Sequence, residues 1–426
     1  MRRYIIPKSK TIDLVFITLL SLLLFSSVVK AETNIDINGY IRNETGVLLD
    51  EDTEFGLMKN TLNLDLTYRN DDDTLGAKAT PFIYYYGEDD YRMDLREIYV
   101  DIYLDTIDIR VGKQQIMWGK ADGVFITDVV SPKNLTEFLL PDFNEIRMGV
   151  NSLKLDYSSD NSTFELVWIP MFTPTKIPAS DSIWGVKMDI PKGVTIDKSK
   201  MKIDPSLENS EIFFKYSLLA SAIDLEVMAG YMWDDDPTLH LNKAMVDGHP
   251  QMSIVPEYHR LGVMGGSFSK DIAGMFVLRG EIAYYYDKYF LLNTPDKVTG
   301  ENTTQRDYIH YVVGIDATPF WDIYMSTQFI QRAILNYTDD IQNEDFDNTM
   351  TFLMRKTFLR ETLDVELFAY YSITDGDALI KPKIAYKYTD ELELSVGAYI
   401  FVGDSDGMFG QFEDNNMVYI KSKLTF

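Results

Sequence analysis

Side-chain polarity in this chain alternates residue by residue over segments of about ten, and that alternation constrains the fold more than anything else in the sequence. Leu62, Leu64, Leu66 and Tyr68 alternate with Asn63, Asp65 and Thr67; Ile98, Val100, Ile102 and Leu104 alternate with Glu97, Tyr99, Asp101 and Tyr103. A β-strand sends successive side chains to opposite faces, so each segment has one apolar and one polar face. Later segments repeat the scheme. Phe276, Leu278, Ile282, Tyr284 and Tyr286 oppose Arg279 and Glu281, while Leu392, Leu394, Val396, Ala398 and Ile400 oppose Glu393, Ser395 and Tyr399. Past Ala31 no apolar run approaches the roughly 18 residues of a membrane helix, so a membrane form of this chain must cross with strands.

Eighteen strands are expected, at 35–46, 61–68, 75–86, 95–104, 107–116, 147–157, 163–170, 211–218, 223–231, 256–268, 272–286, 306–317, 321–330, 348–358, 362–372, 378–388, 391–401 and 416–426. Their connections alternate in length. Those at 69–74, 105–106, 158–162, 220–222, 269–271, 318–320, 359–361 and 389–390 are brief, whereas 117–146, 171–210, 232–255, 287–305 and 331–347 are long. A barrel with short periplasmic turns and long extracellular loops requires such a rhythm; the Greek-key connections of a β-sandwich give no reason for it. The expected fold is therefore all-β, a transmembrane antiparallel barrel of about 18 strands, with 16 or 20 also compatible.

The two ends carry matching signals. Arg2, Arg3, Lys8 and Lys10 precede an apolar run from Leu14 to Val29 and the triplet Val29-Lys30-Ala31, the layout of a secretory signal peptide cleaved after Ala31. The run of 16 residues is shorter than the roughly 20 needed to span hydrocarbon. The division is thus a leader at 1–31 and a barrel at 32–426. In the last segment Val418, Ile420, Leu424 and Phe426 share one parity opposite Tyr419, Lys421, Lys423 and Thr425. Ile420, Leu424 and the terminal Phe426 resemble the address read by the barrel-assembly machinery of Gram-negative outer membranes.

Composition excludes several classes. There is no cysteine, which removes disulfides, lipid attachment through sulfur and thiolate metal sites. Without residues 1–31, 35 Lys and Arg face 65 Asp and Glu, a net charge of −30, and nucleic acid is not a partner. Aromatics make up 13% of the chain, 27 of them Tyr, as two interfacial belts require. Trp118, Trp168 and Trp233 are expected in the distal belt and Trp321 near the periplasmic one.

Leu95-Arg-Glu-Ile-Tyr-Val-Asp101, Arg110-Val-Gly-Lys-Gln-Gln-Ile-Met-Trp-Gly119, Asp128-Val-Val-Ser-Pro-Lys133 and Val167-Trp-Ile-Pro-Met-Phe-Thr-Pro174 resemble a family of porin-like bacterial outer-membrane proteins of unknown function. Its members are similar in layout to the alginate-export barrels, and the resemblance implies 18 strands. The dense basic ring of the alginate carriers has no counterpart of equal strength here, which argues against alginate as cargo.

Projecting alternate positions inward gives a lumen of mixed sign: Arg42, Arg110, Lys215, Arg260, Arg279, Arg355, Lys381 and Lys383 against Glu97, Asp101, Asp108 and Glu281. Two readings stand, a constriction that selects solutes by its transverse field and a wall of paired, solvated charges. The segment Met117–Ile146 carries Lys120, Asp122, Asp128, Lys133, Glu137 and Asp142 beside the apolar stretches Val124–Val130 and Leu139-Leu140-Pro141. These stretches suit packing against the wall, so the segment is expected to enter the lumen and narrow it rather than form a plain surface loop. Acidic clusters at 51–54, 88–90, 234–236, 344–347 and 413–414 are expected on outer loops, where divalent cations would bridge them to lipopolysaccharide or water would solvate them. The four histidines, His240, His249, His259 and His310, fall in no metal or nucleophile motif, so neither enzyme activity, cofactor nor metal is expected. The function expected is passage of small solutes through a charged, loop-narrowed lumen. A non-conducting adhesion platform and an export conduit for a polymer or lipid are the alternatives; the solute and the oligomeric state are left open.

Overall fold

The computed structural model describes residues 34–49, 54–87, 90–185, 193–221, 223–246, 249–295 and 300–426. The expected leader, residues 51–53 of the first acidic cluster and residues 88–89 of the second lie outside them. Among the described residues, 18 strands form one antiparallel sheet that closes on itself. They are β1 (Ile35–Leu48), β2 (Phe55–Arg69), β3 (Leu75–Gly87), β4 (Asp90–Tyr103), β5 (Ile107–Gln114), β6 (Val150–Ser159), β7 (Ser162–Ile169), β9 (Glu211–Leu219), β10 (Asp224–Trp233), β13 (Arg260–Ile272), β14 (Phe276–Leu291), β15 (Thr303–Ala317), β16 (Tyr324–Ile334), β17 (Phe346–Phe358), β18 (Leu363–Ser372), β19 (Asp377–Lys387), β20 (Leu392–Val402) and β21 (Met417–Thr425). Every expected segment is among them.

Two of the expected plain connections, 171–210 and 232–255, are corrected. They supply β8 (Val194–Ile196), β11 (Thr238–Val246) and β12 (His249–Glu257), a separate three-stranded sheet. Leu239 and Leu241 in β11 and Met252 and Ile254 in β12 give this hairpin its own period-two pattern, short enough to pass for loop.

Each barrel strand pairs with the next, and β21 returns to β1 with Leu48 opposite Met417 and Tyr40 opposite Thr425. The seam runs one residue further: Phe426 N–H donates to the Gly39 carbonyl at 3.0 Å and Gly39 N–H to the Phe426 carbonyl at 2.9 Å. A closed ladder leaves no strand edge, which is the only way a sheet can satisfy its backbone in hydrocarbon.

Polarity is inverted relative to a water-soluble core. Val100, Ile102, Val111, Val227, Val313, Ile384, Val396 and Ile420 are exposed on the outer surface, while Arg42, Lys59, Glu97, Asp101, Glu165 and Glu281 are buried on the inner one. So large an apolar exterior suits lipid rather than water.

Two sectors of the interior break the rule: Leu48, Leu57, Leu379, Phe401 and Met417 form one inward apolar cluster, and the other spans β7 to β16. Val167 and Ile169 on β7, Phe213 on β9, Met228 and Met232 on β10, Leu261 and Val263 on β13, Val312 on β15 and Ile330 on β16 point inward and form an apolar cluster. They pack against Ile116, Trp118, Ile126, Val129 and Val130 from the connection between β5 and β6. Trp118 is therefore not in an interfacial belt. Its ring meets Phe213 edge-on at 6.0 Å inside the barrel, because the chain turns inward at the end of β5.

The inversion predicts unequal costs for a new charge. Val313→Arg, on the outer face, is expected to lower unfolding stability in detergent or bilayer by about 2–4 kcal/mol, whereas Thr357→Arg, exposed at the inward parity of β17 opposite Asp364, is expected to cost clearly less. Equal losses in urea titrations followed by tryptophan fluorescence would contradict the assignment of faces.

Candidate functional site

The segment at 115–149 lies within the barrel, and its entry is built by the motif Arg110-Val-Gly112-Lys-Gln114-Gln115. Gly112 has φ +136°, and a Cβ there would stand 2.3 Å from the Ile98 carbonyl oxygen, so only glycine lets β5 approach β4 this closely before leaving the wall. Gln115 N–H then donates to the Glu97 carboxylate at 2.9 Å. The Gln115 side-chain amide donates to the carbonyls of Asn144 at 2.8 Å and Arg147 at 2.6 Å, tying the start of the segment to its end. A buried Arg147–Asp128 ion pair closes it upon itself, under the Phe125 ring, which Arg147 approaches at 5.3 Å.

Wall side chains grip the segment around its circumference. The Glu281 carboxylate accepts hydrogen bonds from Lys120 N–H at 2.5 Å, Ala121 N–H at 2.6 Å, Thr127 N–H at 3.1 Å and the Thr127 hydroxyl at 2.7 Å. Beside it Arg279 pairs with Asp122 and with Asp316 and donates to the Lys120 carbonyl at 2.8 Å. Gln328 exchanges two hydrogen bonds with the Asp122 backbone, at 2.6 and 3.1 Å. Across the lumen Arg42 binds Glu145 at 2.9 Å and Lys59 binds Glu137 at 2.8 Å, with Tyr40 and Tyr86 donating to the same carboxylates. Lys381 donates to the Leu139 carbonyl at 2.9 Å, and Tyr370 to the Gly123 carbonyl at 2.8 Å. At Gly123, φ is +82° and a Cβ would reach 2.5 Å from the Phe368 ring, so the backbone touches the wall directly.

Of the candidates named from sequence, register places Arg42, Glu97, Asp101, Asp108, Arg110, Lys215, Arg279, Glu281, Arg355, Lys381 and Lys383 on the inward face. Their charges are largely spoken for. Arg110 pairs with Asp101 at 2.6 Å, Lys383 and Arg355 reach Glu366 at 3.1 and 3.8 Å, and Lys215 stands 3.9 Å from Glu165. The segment's own residues meet either the wall or the mouth. Lys120 pairs with Glu226 at 3.1 Å and Lys133 with Asp235 at 3.6 Å, and Asp142 borders a small recess with Arg42 and Lys421.

Arg260 is a correction. It sits opposite Trp233, at the outward parity of β13, where its guanidinium lies 4.3 Å from the Trp233 ring and donates to the Glu208 and Ser210 carbonyls. The inward positions of β13 are Leu261 and Val263, apolar because they face the segment; that local reversal hides the true parity.

A second inward element had not been read from the sequence. Residues 403–416, between β20 and β21, bury Phe409 and Phe412 against Trp184, Leu140 and Phe401. Phe138 contacts the Phe412 ring at 4.8 Å, so the two inward segments touch. Asp377 holds this turn by accepting from Phe409 and Gly410 N–H at 2.5 and 2.9 Å. The run Met408-Phe-Gly-Gln-Phe412 in a connection was the available signal. Above both segments lies a cavity of about 650 Å³ lined by Val129, Leu135, Tyr285, Lys288, His310 and Arg332, among others.

The family of proteins of unknown function DUF1302 matches residues 24–426, nearly the whole chain. The chain belongs to the DUF1302 family. Among curated proteins no sequence matches it. Solved outer-membrane barrels share the fold of this DUF1302 protein at low identity. OccAB2 of Acinetobacter baumannii is 9% identical, with 92% of this chain and 98% of that one covered at a TM-score of 0.54. OpdL of Pseudomonas aeruginosa is 8% identical, with 92% and 99% covered at 0.54. OccK5 (OpdH) of the same organism is 9% identical, with 92% and 97% covered at 0.52.

If Glu281 is the main grip, Glu281→Gln loses charge-assisted hydrogen bonds worth about 1.5–3 kcal/mol each in favourable cases. The segment should then become susceptible to limited proteolysis between residues 117 and 146 while the barrel stays heat-resistant on gels. Unchanged protection would show that the other contacts suffice.

Proposed function

We propose that this DUF1302 protein is an outer-membrane channel through which small solutes pass along a lumen narrowed by residues 115–149. The observation that carries this reading is the clasp itself: two opposite sectors of the wall, Arg42 and Lys59 on one side and Arg279 and Glu281 on the other, hold a single segment across the interior. A barrel used only as an adhesion platform has no need of such an inner structure, since its function would lie in the outer loops. Residues 1–31 are read as the leader that takes the chain across the inner membrane, and Phe426, Leu424 and Ile420 as the signal for the barrel-assembly machinery. Lipopolysaccharide is the outer-leaflet neighbour of the loops.

Because the inward charges are mostly paired, selectivity is read as a property of the few groups whose pairing changes along the path rather than of one ring of a single sign. Shortening the segment by removing residues 121–145 is expected to raise single-channel conductance in planar bilayers several-fold relative to the full chain. A silent wild-type barrel that stays silent after the deletion would favour the platform instead. As a control that keeps the segment, Arg110→Glu places an extra negative pair on the inner wall and should shift reversal potentials toward cations. Arg260→Glu, on the outer face, should leave them unchanged; the opposite outcome would reverse the assignment.

A further inference from the structure

Two histidines far from the lumen clasp meet at the loop end of the barrel. His240, on β11, and His259, between β12 and β13, bring their Nε2 atoms to 2.7 Å. Glu257, the last residue of β12, places a carboxylate oxygen so that the three donor atoms lie within 4.8 Å of one another. We propose that His240, His259 and Glu257 form a binding site for a divalent transition-metal ion of the zinc type.

The donor set suits such an ion: two imidazole nitrogens and one carboxylate oxygen, three protein ligands with a fourth position left for water or an outside ligand. All three residues are half-buried rather than sealed, so an ion can enter from solvent. Zinc–nitrogen bonds of about 2.0–2.1 Å in a tetrahedral site put the two nitrogens roughly 3.3 Å apart. From their hydrogen-bonded distance the nitrogens must part by a fraction of an ångström, and each ring must turn so that its lone pair faces the ion instead of the other nitrogen. His259 is held for this by the Tyr289 ring of β14, stacked at 3.8 Å and 20°, and Tyr289 also meets His240 edge-on at 5.8 Å. Lys200 donates to one oxygen of Glu257 at 2.7 Å, which orients the carboxylate and leaves the metal the second oxygen. One of the two Nε2 atoms carries the proton of their hydrogen bond, and that imidazole must pass to its Nδ1–H tautomer before the nitrogen can bind the ion.

The placement gives the site a structural consequence. Its ligands come from the small sheet and from the link between β12 and β13, and its packing partner from β14. A bound ion would therefore fasten the β8–β11–β12 sheet to the rim of the barrel. Asn302 also contributes to this attachment, accepting from Leu241 N–H at 2.8 Å and donating to the Leu239 carbonyl at 2.9 Å.

Titrating the full chain in detergent with zinc chloride by calorimetry is expected to give saturable binding of one ion per chain. Binding should weaken by more than roughly 10–100-fold, the loss caused by removing a mere outer-shell partner of a ligating histidine, in His240→Ala and in His259→Ala, and by less in Glu257→Gln. With copper(II) in place of zinc, the paramagnetic resonance spectrum should report two coordinated nitrogens, and none in the double-histidine variant. Heat-modifiability on gels checks that each variant is a folded barrel. Absence of saturable binding in the wild-type chain, or equal binding by the folded double variant, would overturn the site.

Discussion

Closure of the backbone ladder between β1 and β21 is the constraint from which the rest of this molecule follows. Hydrocarbon offers no hydrogen bonds, so a sheet survives there only when every strand has two neighbours. Once the ring is closed, alternate side chains divide into an outer set that must be apolar and an inner set free to be polar. The exterior rows around Val100, Val313 and Val396 and the interior rows around Arg42, Glu97 and Glu281 are the two halves of that division.

An interior so rich in charge creates its own requirement. A carboxylate or guanidinium removed from bulk water is costly unless paired, and breaking one buried pair costs about 3–5 kcal/mol, far more than the 0–1 kcal/mol of an exposed pair. The chain answers in two ways. Neighbouring strands pair charges along the wall, as Arg110 does with Asp101, and residues 115–149 bring Glu137, Glu145 and Asp122 to the wall cations that remain. The same segment brings Ile116, Trp118, Ile126, Val129 and Val130, which require an apolar patch to receive them. Its presence thus explains both the placement of wall charges and the sector from β7 to β16 where the wall is apolar inside.

The strands were legible because period-two alternation repeats over the whole length and because lipid on one side enforces it. The inward entry of 115–149 was legible from apolar stretches stranded in a long connection. Legibility failed where alternation was locally reversed by packing: β13 turns Leu261 and Val263 inward toward the segment, and Arg260 was assigned to the wrong face in consequence. Trp118 misled for a related reason, since a tryptophan ending a strand looks the same in sequence whether the chain next runs outward or turns into the lumen. The inward turn at 403–416 and the small outer sheet carry only short local patterns, and their placement depends on long-range partners, Trp184, Phe138 and Asp377 for the first and the β8–β12 pairing for the second.

Wall partners hold residues 115–149 within the lumen, and the absence of cysteine from the chain allows a direct measurement. Lys59→Cys and Glu137→Cys, introduced together, replace one salt bridge of the clasp with two thiols 78 positions apart in sequence. A short bis-maleimide applied to the protein in membranes should join them within one chain, so that proteolysis between the two positions leaves the fragments linked. Fragments that separate after efficient labelling of both thiols would place the segment away from the wall and contradict its being held there.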